Sequence, residues 1–449
     1  MEQLDIFGAM YGNYKITKPI KLIELFAGYG SQNLALKYLN ANYEHYKICE
    51  WATKSIQAYN DLHIQDYNDY SKPFTYEEIL NFLYSKGISL DYNSPMAFDQ
   101  IKRKGEKWCR KTYNDIIATN NLVNIQQVHA DDLEIVDTDK YEYILTYSFP
   151  CQDLSLAGEL KGMEKGSGTR SGMLWEVERI LKECNNLPQI LFMENVTQVH
   201  SVKNRNNFEQ WIKSLEALGY KNYWQDLNSK DYGIPQNRNR TFMVSIIGNG
   251  NYSFPKKEKL ELRLKNMLES KVNEKYFLSP KMIKYIANSN EKWTGNNDKA
   301  LINKEIASTI NTAEGSRRCD ASNYICDDLP EEFDLKFGNE NLNETLEKNK
   351  DIESGDFIDA YNKKVRKDGL CGTILTGIDF RNKHFVAVDE SILKKLRIRK
   401  LTPKECFRLM GLKDEDIDKI SKQADSSLYH LAGDSIVVNV LMAIFKEMV

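Results

Sequence analysis

The 449-residue chain lacks the features that mark secreted, membrane or zinc-binding proteins. Its eight cysteines are scattered, with no Cys-x-x-Cys pair and no matching histidines, which disfavours both a zinc site and a disulfide framework. The first residues have neither the basic nor the apolar segment of a signal peptide, and no uninterrupted apolar run of membrane length follows. We therefore expect a soluble cytoplasmic protein without a metal ion or membrane contact.

A strong overall charge is also absent, since the net charge is −3 and the pI is near 6.2. This disfavours a wholly basic nucleic-acid-binding protein. The charge is nevertheless segregated: residues 327–358 carry eleven acidic and three basic residues (net −8), and residues 361–404 carry twelve basic and four acidic residues (net +8). The basic segment favours a phosphate-facing surface, although two solvated loops would give the same counts.

Strand-like and helix-like patterns alternate from about residue 20 to 250, which predicts an α/β fold with a largely parallel sheet. Strands are predicted at 21–26, 46–50, 143–148, 189–194, 220–226 and 241–247, and helices at 31–39, 51–60, 172–184, 208–218 and 436–448. An insertion with helical pieces occupies about 63–127. From residue 251 the apolar pattern weakens, so we expect a discontinuous first domain, 1–250 plus 396–449, and a loop-rich second domain, 251–395.

A strand, a glycine turn and a helix start follow one another at residues 22–31, and Glu50 ends the next strand twenty residues after Gly30. In a doubly wound sheet this spacing brings backbone close to a nucleotide-like ligand and a carboxylate close to its ribose hydroxyls. Asn33 stands where the dinucleotide fingerprint has a third glycine, which favours a cofactor without phosphates. A plain tight turn is the alternative.

Three further strand ends carry polar or reactive side chains. Asp131 and Asp132 follow a short run at 126–130 and would reach the same ligand if that run is a strand; a surface pair is the alternative. Cys151 stands at the head of a loop, because Pro150 ends an apolar strand. Glu194 ends the strand after it. Carboxyl ends of parallel strands meet at one crevice, so a thiol and a carboxyl are expected together there.

A polar segment at 233–240 precedes the last predicted strand, and alternation places Gln236, Arg238 and Arg240 on one side of it. Taken singly, each of these candidates has an ordinary structural explanation: a core cysteine for Cys151, a capping acid for Glu194 and exposed cations for the arginines. Their combination along one chain favours a catalytic site.

In order and content, these segments resemble the motif series of the DNA (cytosine-5)-methyltransferase family, of the bacterial or phage modification methylase type. Phe-Ala-Gly-Tyr-Gly at 26–30 is similar to its cofactor loop, Ser-Phe-Pro-Cys-Gln at 148–152 to its nucleophile motif, and Glu-Asn-Val at 194–196 to its acidic motif. The series continues at 236–240, 399–406 and 433–437. The resemblance covers 22–449 apart from 63–127 and 251–395, where the latter is the family's variable target-recognition region. Asp434 departs from the more usual Asn.

The resemblance implies a Rossmann-like sheet that binds S-adenosyl-L-methionine. Phe26 and Trp51 would flank the adenine, and Glu50 would hold the ribose. The full set of expected cofactor-binding residues is Phe26, Gly28, Gly30, Glu50, Trp51, Asp131, Asp132, Pro150, Ser435 and Ile436.

The resemblance also implies a covalent mechanism at a cytosine. Methylation at C5 needs a nucleophile at C6, which would be Cys151, and an acid near N3, which would be Glu194. Arg240 would hold cytosine O2 and Arg238 would support the site. The loop 152–170 is expected to move as the base enters.

The expected substrate is double-stranded DNA with its target base flipped out. The candidate DNA contacts are Gln152, Ser155, Lys161, Arg170, Gln236, Arg317, Arg318 and Arg381. We expect a monomer that acts alongside a restriction endonuclease without a stable complex.

Two other enzymes remain as alternatives. A tRNA cytosine-5 methyltransferase shares the chemistry but has less need of a recognition region as long as 251–395. An NAD-dependent oxidoreductase explains the glycine turn and Glu50, but it leaves Cys151, Glu194 and the arginines without a role.

Overall fold

The computed structural model describes residues 12–150, 154, 162–166, 170–278, 305–312, 314–315, 323–326, 357–359, 364–366, 384–386 and 398–449. Among the described residues before 250, the structure has seven strands: β1 (Ile20–Leu25), β2 (Tyr43–Cys49), β3 (Glu142–Tyr147), β4 (Ile190–Asn195), β5 (Tyr220–Asn228), β6 (Gln236–Asn237) and β7 (Asn239–Ile247). Six of them form the central sheet in the order β2-β1-β3-β4-β7-β5. The four strands β2, β1, β3 and β4 are parallel, so their carboxyl ends share one edge.

The α/β sheet is confirmed, and the predicted strands lie within about three residues of the observed ones. Two details differ. Strand β7 runs antiparallel to both β4 and β5. Of the two alternatives for the run at 126–130, the strand does not form: these residues lie in and between the short 3-10 turns Ile125–Gln127 and Ala130–Leu133. The side chain of Asn124 accepts a hydrogen bond from the Gln126 N–H, which favours the turn over an extended strand.

The helices of the described chain are α1 (Ser31–Tyr38), α2 (Thr53–Tyr59), α3 (Tyr76–Lys86), α4 (Phe98–Lys102), α5 (Glu106–Ala118), α6 (Leu174–Glu183), α7 (Arg205–Ala217), α8 (Pro403–Leu409), α9 (Asp414–Ile420), α10 (Asp425–Gly433) and α11 (Val438–Lys446). Short strands occur further along the chain, namely β8 (Ala307–Ser308), β9 (Tyr324–Cys326), β10 (Phe357–Asp359), β11 (Lys364–Arg366), β12 (His384–Val386) and β13 (Ile398–Lys400). The start of α8 follows from its sequence, because Thr402 and Glu405 form a capping box around Pro403.

The C-terminal helices return to the central sheet. Helix α11 packs on α1, and its apolar side chains join one buried cluster with residues of β1, β4 and β7. The segment Asp425–Lys446 is long and apolar enough to cross a membrane by composition, but two thirds of its most apolar stretch is buried inside the protein. Its apolar residues therefore serve the core, as in many globular proteins.

The insertion forms a small helical unit with a core of its own. Helices α3, α4 and α5 bury a separate apolar cluster, against which the side chain of Trp51 packs. The loop between α3 and α4 also joins the chain that follows β2. The Ser89 N–H donates to the Trp51 carbonyl at 2.7 Å, and the Thr53 N–H donates to the Ser89 carbonyl at 2.9 Å. The insertion is thus attached directly beside a predicted cofactor-binding residue.

Candidate active site

The glycine turn after β1 faces open space. Phe26 and Gly28 both have left-handed backbone conformations, with φ of 57° and 55°. A Cβ atom at Gly28 would meet nothing within 4 Å, whereas one at Gly30 would lie 2.5 Å from His63 Nε2. Gly30 is therefore required by close packing beneath the turn, and Gly28 borders a space that a ligand can fill.

Glu50 is fixed against this turn by backbone donors. Its carboxylate accepts hydrogen bonds from the Gly28 N–H at 2.9 Å and from the Ala52 N–H at 2.7 Å. Burial raises the pKa of Glu50 to about 7, against the lowering effect of these two hydrogen bonds. A carboxylate held in this way is a pre-positioned acceptor for hydroxyl groups.

Asn121, at the end of the insertion, also positions Glu50 and was missed by the sequence analysis. Its side chain donates to the Glu50 carbonyl at 2.9 Å and accepts from the Glu50 N–H at 3.1 Å. Nothing in the local sequence distinguishes Asn121 from other polar residues, because the contact depends on the return of the insertion to β2.

The chain just before Cys151 is anchored on two sides. The Phe149 carbonyl accepts a hydrogen bond from Asn195 Nδ2 at 2.9 Å, and the Pro150 carbonyl accepts one from the Ser171 hydroxyl at 2.7 Å. Asn195 follows Glu194 directly on β4. The end of β3 that leads into Cys151 is thus tied to the strand end that carries Glu194.

Glu194 is buried at the carboxyl end of β4 beside an arginine. Its Oε1 atom lies 3.3 Å from Arg240 Nε, and its side chain is only 10% exposed. Burial raises the pKa of Glu194, while the positive charges of Arg240 and Arg238 oppose the rise. This environment favours the protonated form of the acid and suits a carboxyl group that shares a proton with a substrate.

Arg238 joins distant segments of the chain. Its guanidinium donates to the carbonyl groups of Ile310 at 2.9 Å, Gly433 at 3.1 Å and Ser435 at 2.6 Å. These contacts hold the segment after α10 beside β7. Arg238 therefore supports the site by holding these backbone segments in place. Arg240 is the arginine that contacts the buried Glu194.

The C-terminal segment 433–436 reaches the glycine turn. The Tyr29 hydroxyl donates to Ser435 Oγ at 2.9 Å, and Ile436 is buried in the core beside it. Although part of its surface is exposed, desolvation raises the pKa of Asp434 to about 6; Glu194 adds to the rise, and Arg238 and Arg240 oppose it. The predicted cofactor residues Phe26, Gly28, Glu50 and Ser435 are thus brought together.

Three expected site residues lie elsewhere. Gln236 was expected to contact DNA, but it is fully buried. Its amide donates to the Leu409 carbonyl at 2.7 Å and accepts from the Ile310 N–H at 2.9 Å, so both of its polar groups bind backbone. Asp132 accepts from the His129 N–H in a 3-10 turn, and Asp131 lines a hollow with Tyr46 and Cys184 rather than the glycine turn. The strand that would have carried this aspartate pair to the ligand does not form.

Other expectations fall on parts of the chain that the structure does not describe. These residues are Cys151, Gln152, Ser155, Lys161, Arg317, Arg318 and Arg381, together with the side chain of Arg170. Their roles stay predictions.

The charges around the glycine turn discriminate between cofactor classes. Glu50 lies against the turn through the Gly28 N–H, and Asp434 directly precedes Ser435, whose hydroxyl accepts from Tyr29 of the same turn. Two carboxyl groups and the open space at Gly28 suit a ribose diol and a cationic group, whereas they repel a diphosphate. The residues present therefore fit a positively charged nucleoside cofactor better than NAD.

Comparisons with known proteins identify the family of the chain. The family model of the C-5 cytosine-specific DNA methylases matches residues 82–449. The type II methyltransferase M2.ScrFI of Lactococcus lactis subsp. cremoris is 31% identical over 437 residues, which cover 96% of this chain and 99% of the relative. The orphan methyltransferase M.SssI of Spiroplasma monobiae is 37% identical over 293 residues, covering 64% of this chain and 74% of the relative.

Solved structures share the fold at low sequence identity. The Entamoeba histolytica methyltransferase EhMeth has a TM-score of 0.57 at 16% identity, covering 96% of this chain and 98% of that one. The S. pombe Dnmt2 methyltransferase has a TM-score of 0.54 at 15% identity, covering 95% and 96%. Because the family model spans most of the chain and a relative aligns over nearly its whole length, the chain belongs to the C-5 cytosine-specific DNA methylases.

Proposed function

We propose that this methylase transfers the methyl group of S-adenosyl-L-methionine to C5 of a cytosine flipped out of duplex DNA, through a covalent bond between Cys151 and C6. The observation that carries the proposal is the buried Glu194–Arg240 pair. It lies next to Asn195, whose side chain anchors the strand end that leads into Cys151.

The proposed chemistry assigns one task to each side chain. The Cys151 thiolate adds to C6 of cytosine, and Glu194 stabilises the charge that develops at N3 by sharing its proton there. Arg240 holds O2 of the same base and limits the pKa of Glu194. After transfer at C5, loss of the C5 proton to a base, for which water suffices, expels the thiolate.

The cofactor, when bound, supplies an electrophilic methyl group on a sulfonium. Phe26 and Trp51 would hold its adenine, and Glu50 would accept hydrogen bonds from its ribose. Ser435 and Ile436 would border it from the C-terminal segment. The open space at Gly28 and the two carboxyl groups nearby support this assignment.

DNA recognition is assigned to residues 251–395 as the second domain of a discontinuous architecture. The packing of α11 on α1 supports the discontinuous catalytic domain, since the chain returns to the central sheet after this region. Base flipping costs roughly a few kcal/mol, which contacts to the distorted duplex must offset. The biological setting would be restriction-modification or self-protection of DNA.

Nucleoside mass spectrometry of duplex DNA incubated with the enzyme and S-adenosyl-L-methionine tests the proposal. We expect 5-methylcytosine in DNA, and bisulfite sequencing of DNA from expressing cells should give one recurring target sequence. A parallel incubation with tRNA tests the alternative acceptor. Methylated tRNA with unmodified DNA would contradict the proposal.

A further inference from the structure

The insertion at 63–127 brings an aromatic residue to the cofactor region. Tyr92 lies in the loop between α3 and α4, and its hydroxyl is 3.3 Å from Ser55 Oγ on α2. Its ring stacks on His430 of α10, with ring centres 4.0 Å apart and planes inclined by 30°. Tyr92 therefore bridges the element after Glu50 and the helix that leads into Asp434 and Ser435.

The loop around Tyr92 is built to hold this position. The Asp91 carboxylate accepts from the N–H groups of Asn93 at 2.9 Å and Ser94 at 3.2 Å, while Ser89 Oγ accepts from the Tyr92 N–H at 3.1 Å. Tyr92 itself has φ of 64°, a conformation that is unfavourable for an aromatic residue and persists only when its surroundings enforce it. The position of the ring is thus specified by the loop.

The Tyr92 hydroxyl also interacts electrostatically with two carboxyl groups of the cofactor region. Burial raises the pKa of its hydroxyl, and the carboxyl groups of Glu50 and Asp434 raise it further. Those two carboxyl groups belong to separate segments, one after β2 and one after α10. The contacts of Tyr92 with Ser55 and His430 place its side chain between these two segments.

We propose that Tyr92 and its stacking partner His430 form the outer wall of the cofactor crevice and contact the nucleoside half of the bound cofactor beside Glu50. The insertion then has a function: it supplies one wall of the binding site from outside the central sheet. This inference rests on the proposed use of S-adenosyl-L-methionine.

The test is calorimetric binding of S-adenosyl-L-methionine to the full-length protein without DNA, compared across matched variants. Tyr92→Ala should weaken binding about tenfold, because an aromatic wall and its stacking contact are lost. Tyr92→Phe should bind within twofold of wild type, since only the hydroxyl is removed. Tyr84→Ala is the control, because Tyr84 lies in the same insertion and is half exposed beside Phe98.

A second variant changes the other residue of the proposed wall. His430→Ala removes the stacking partner and should weaken binding about threefold. If Tyr92→Ala unfolds below the assay temperature, the binding measurement on His430→Ala serves as the test in its place. In steady state, both variants should raise KM for the cofactor and change kcat less than twofold.

The outcomes separate the two proposals. If wild type binds no S-adenosyl-L-methionine, the proposed cofactor is wrong. If wild type binds and folded Tyr92→Ala or His430→Ala binds within twofold of it, the wall formed by Tyr92 and His430 is overturned while the proposed function stands.

Discussion

The two edges of the crevice hold their acids in different ways. At the β1–β2 edge, backbone N–H groups of Gly28 and Ala52 hold Glu50. At the β4–β7 edge, Glu194 is paired with the side chain of Arg240, and Arg238 and Gln236 bind backbone groups of distant segments. Burial raises the pKa of both glutamates.

The backbone contacts of Glu50 fix the position of its carboxylate, whereas the side-chain contact of Glu194 with Arg240 also sets its proton affinity. Backbone donors stay in place whatever side chain is substituted, so changes at Glu50 should affect ligand binding alone. Side-chain partners can be removed one at a time, so changes at the β4–β7 edge should alter stability, proton affinity and catalysis separately.

The largest effect is expected for Glu194→Gln, which removes the proton that Glu194 shares with cytosine. We expect kcat to fall about 10²–10⁴-fold, while the dissociation constant for S-adenosyl-L-methionine changes less than twofold. Single-turnover methylation and calorimetry measure the two quantities. If Glu194→Gln lost cofactor affinity to the same extent as kcat, the two edges of the crevice would not have separate roles.

Arg238 and Arg240 form a matched pair within one segment. Arg238→Met removes three hydrogen bonds from a charged group and should lower the free energy of unfolding by about 3 kcal/mol or more. Arg240→Met should lower it by less than about 1 kcal/mol, because Glu194 can respond to the lost charge by taking up a proton. Parallel denaturation curves test this, and equal losses would contradict the division of roles.

Arg240→Met should also change the pH dependence of the reaction. Arg240 lowers the pKa of Glu194, so its removal lets the acid stay protonated to higher pH. The alkaline limit of kcat that belongs to this acid should therefore move upward, and Arg240→Lys should retain part of the wild-type profile. An unchanged profile would indicate that Glu194 is not the group that titrates.

Gln236→Leu should lower the free energy of unfolding by about 2 kcal/mol, because two backbone partners lose their hydrogen bonds in a buried place. DNA affinity of the folded variant should be unchanged. A loss of DNA affinity without a loss of stability would restore the original expectation that Gln236 contacts DNA.

Glu50→Gln should weaken cofactor binding about tenfold (~1.4 kcal/mol) with stability nearly unchanged. Because the pKa of Glu50 is about 7, its carboxylate is present above pH 7 and is lost as the pH falls through 7. Wild-type affinity should thus decrease from pH 8 to pH 6, and the variant should lose the part of this decrease near pH 7. The remaining part is expected from Asp434, whose pKa is about 6.

The sequence predicted the central sheet and the residues at its strand ends, because apolar runs that stop at Pro150, Glu194 or a glycine turn are local signals. Prediction from the sequence failed where one local pattern is compatible with two structures. The short, mostly polar run at 126–130 is compatible with a strand or a turn, and the Asn124 side chain caps a turn there, while Asn121 and Leu122 take the place beside β2.

Long-range contacts were beyond prediction for the same reason. Alternation correctly placed Gln236, Arg238 and Arg240 on one side, yet it cannot tell whether that side faces DNA or another part of the chain. The partners of Gln236 lie 74 and 173 residues away. The stack of Tyr92 on His430 joins residues whose proximity likewise depends on the whole fold.

The most direct test of the account is covalent trapping on duplex DNA whose target cytosine is replaced by 5-fluorocytosine. A fluorine at C5 cannot leave as a proton does, so the bond from sulfur to C6 should persist. With S-adenosyl-L-methionine present, we predict a denaturation-resistant complex whose cross-linked peptide, identified by mass spectrometry, contains Cys151, and no complex with Cys151→Ser. Methylation of the unsubstituted duplex without any trapped complex on the fluorinated one, or methylation by Cys151→Ser, would contradict the account.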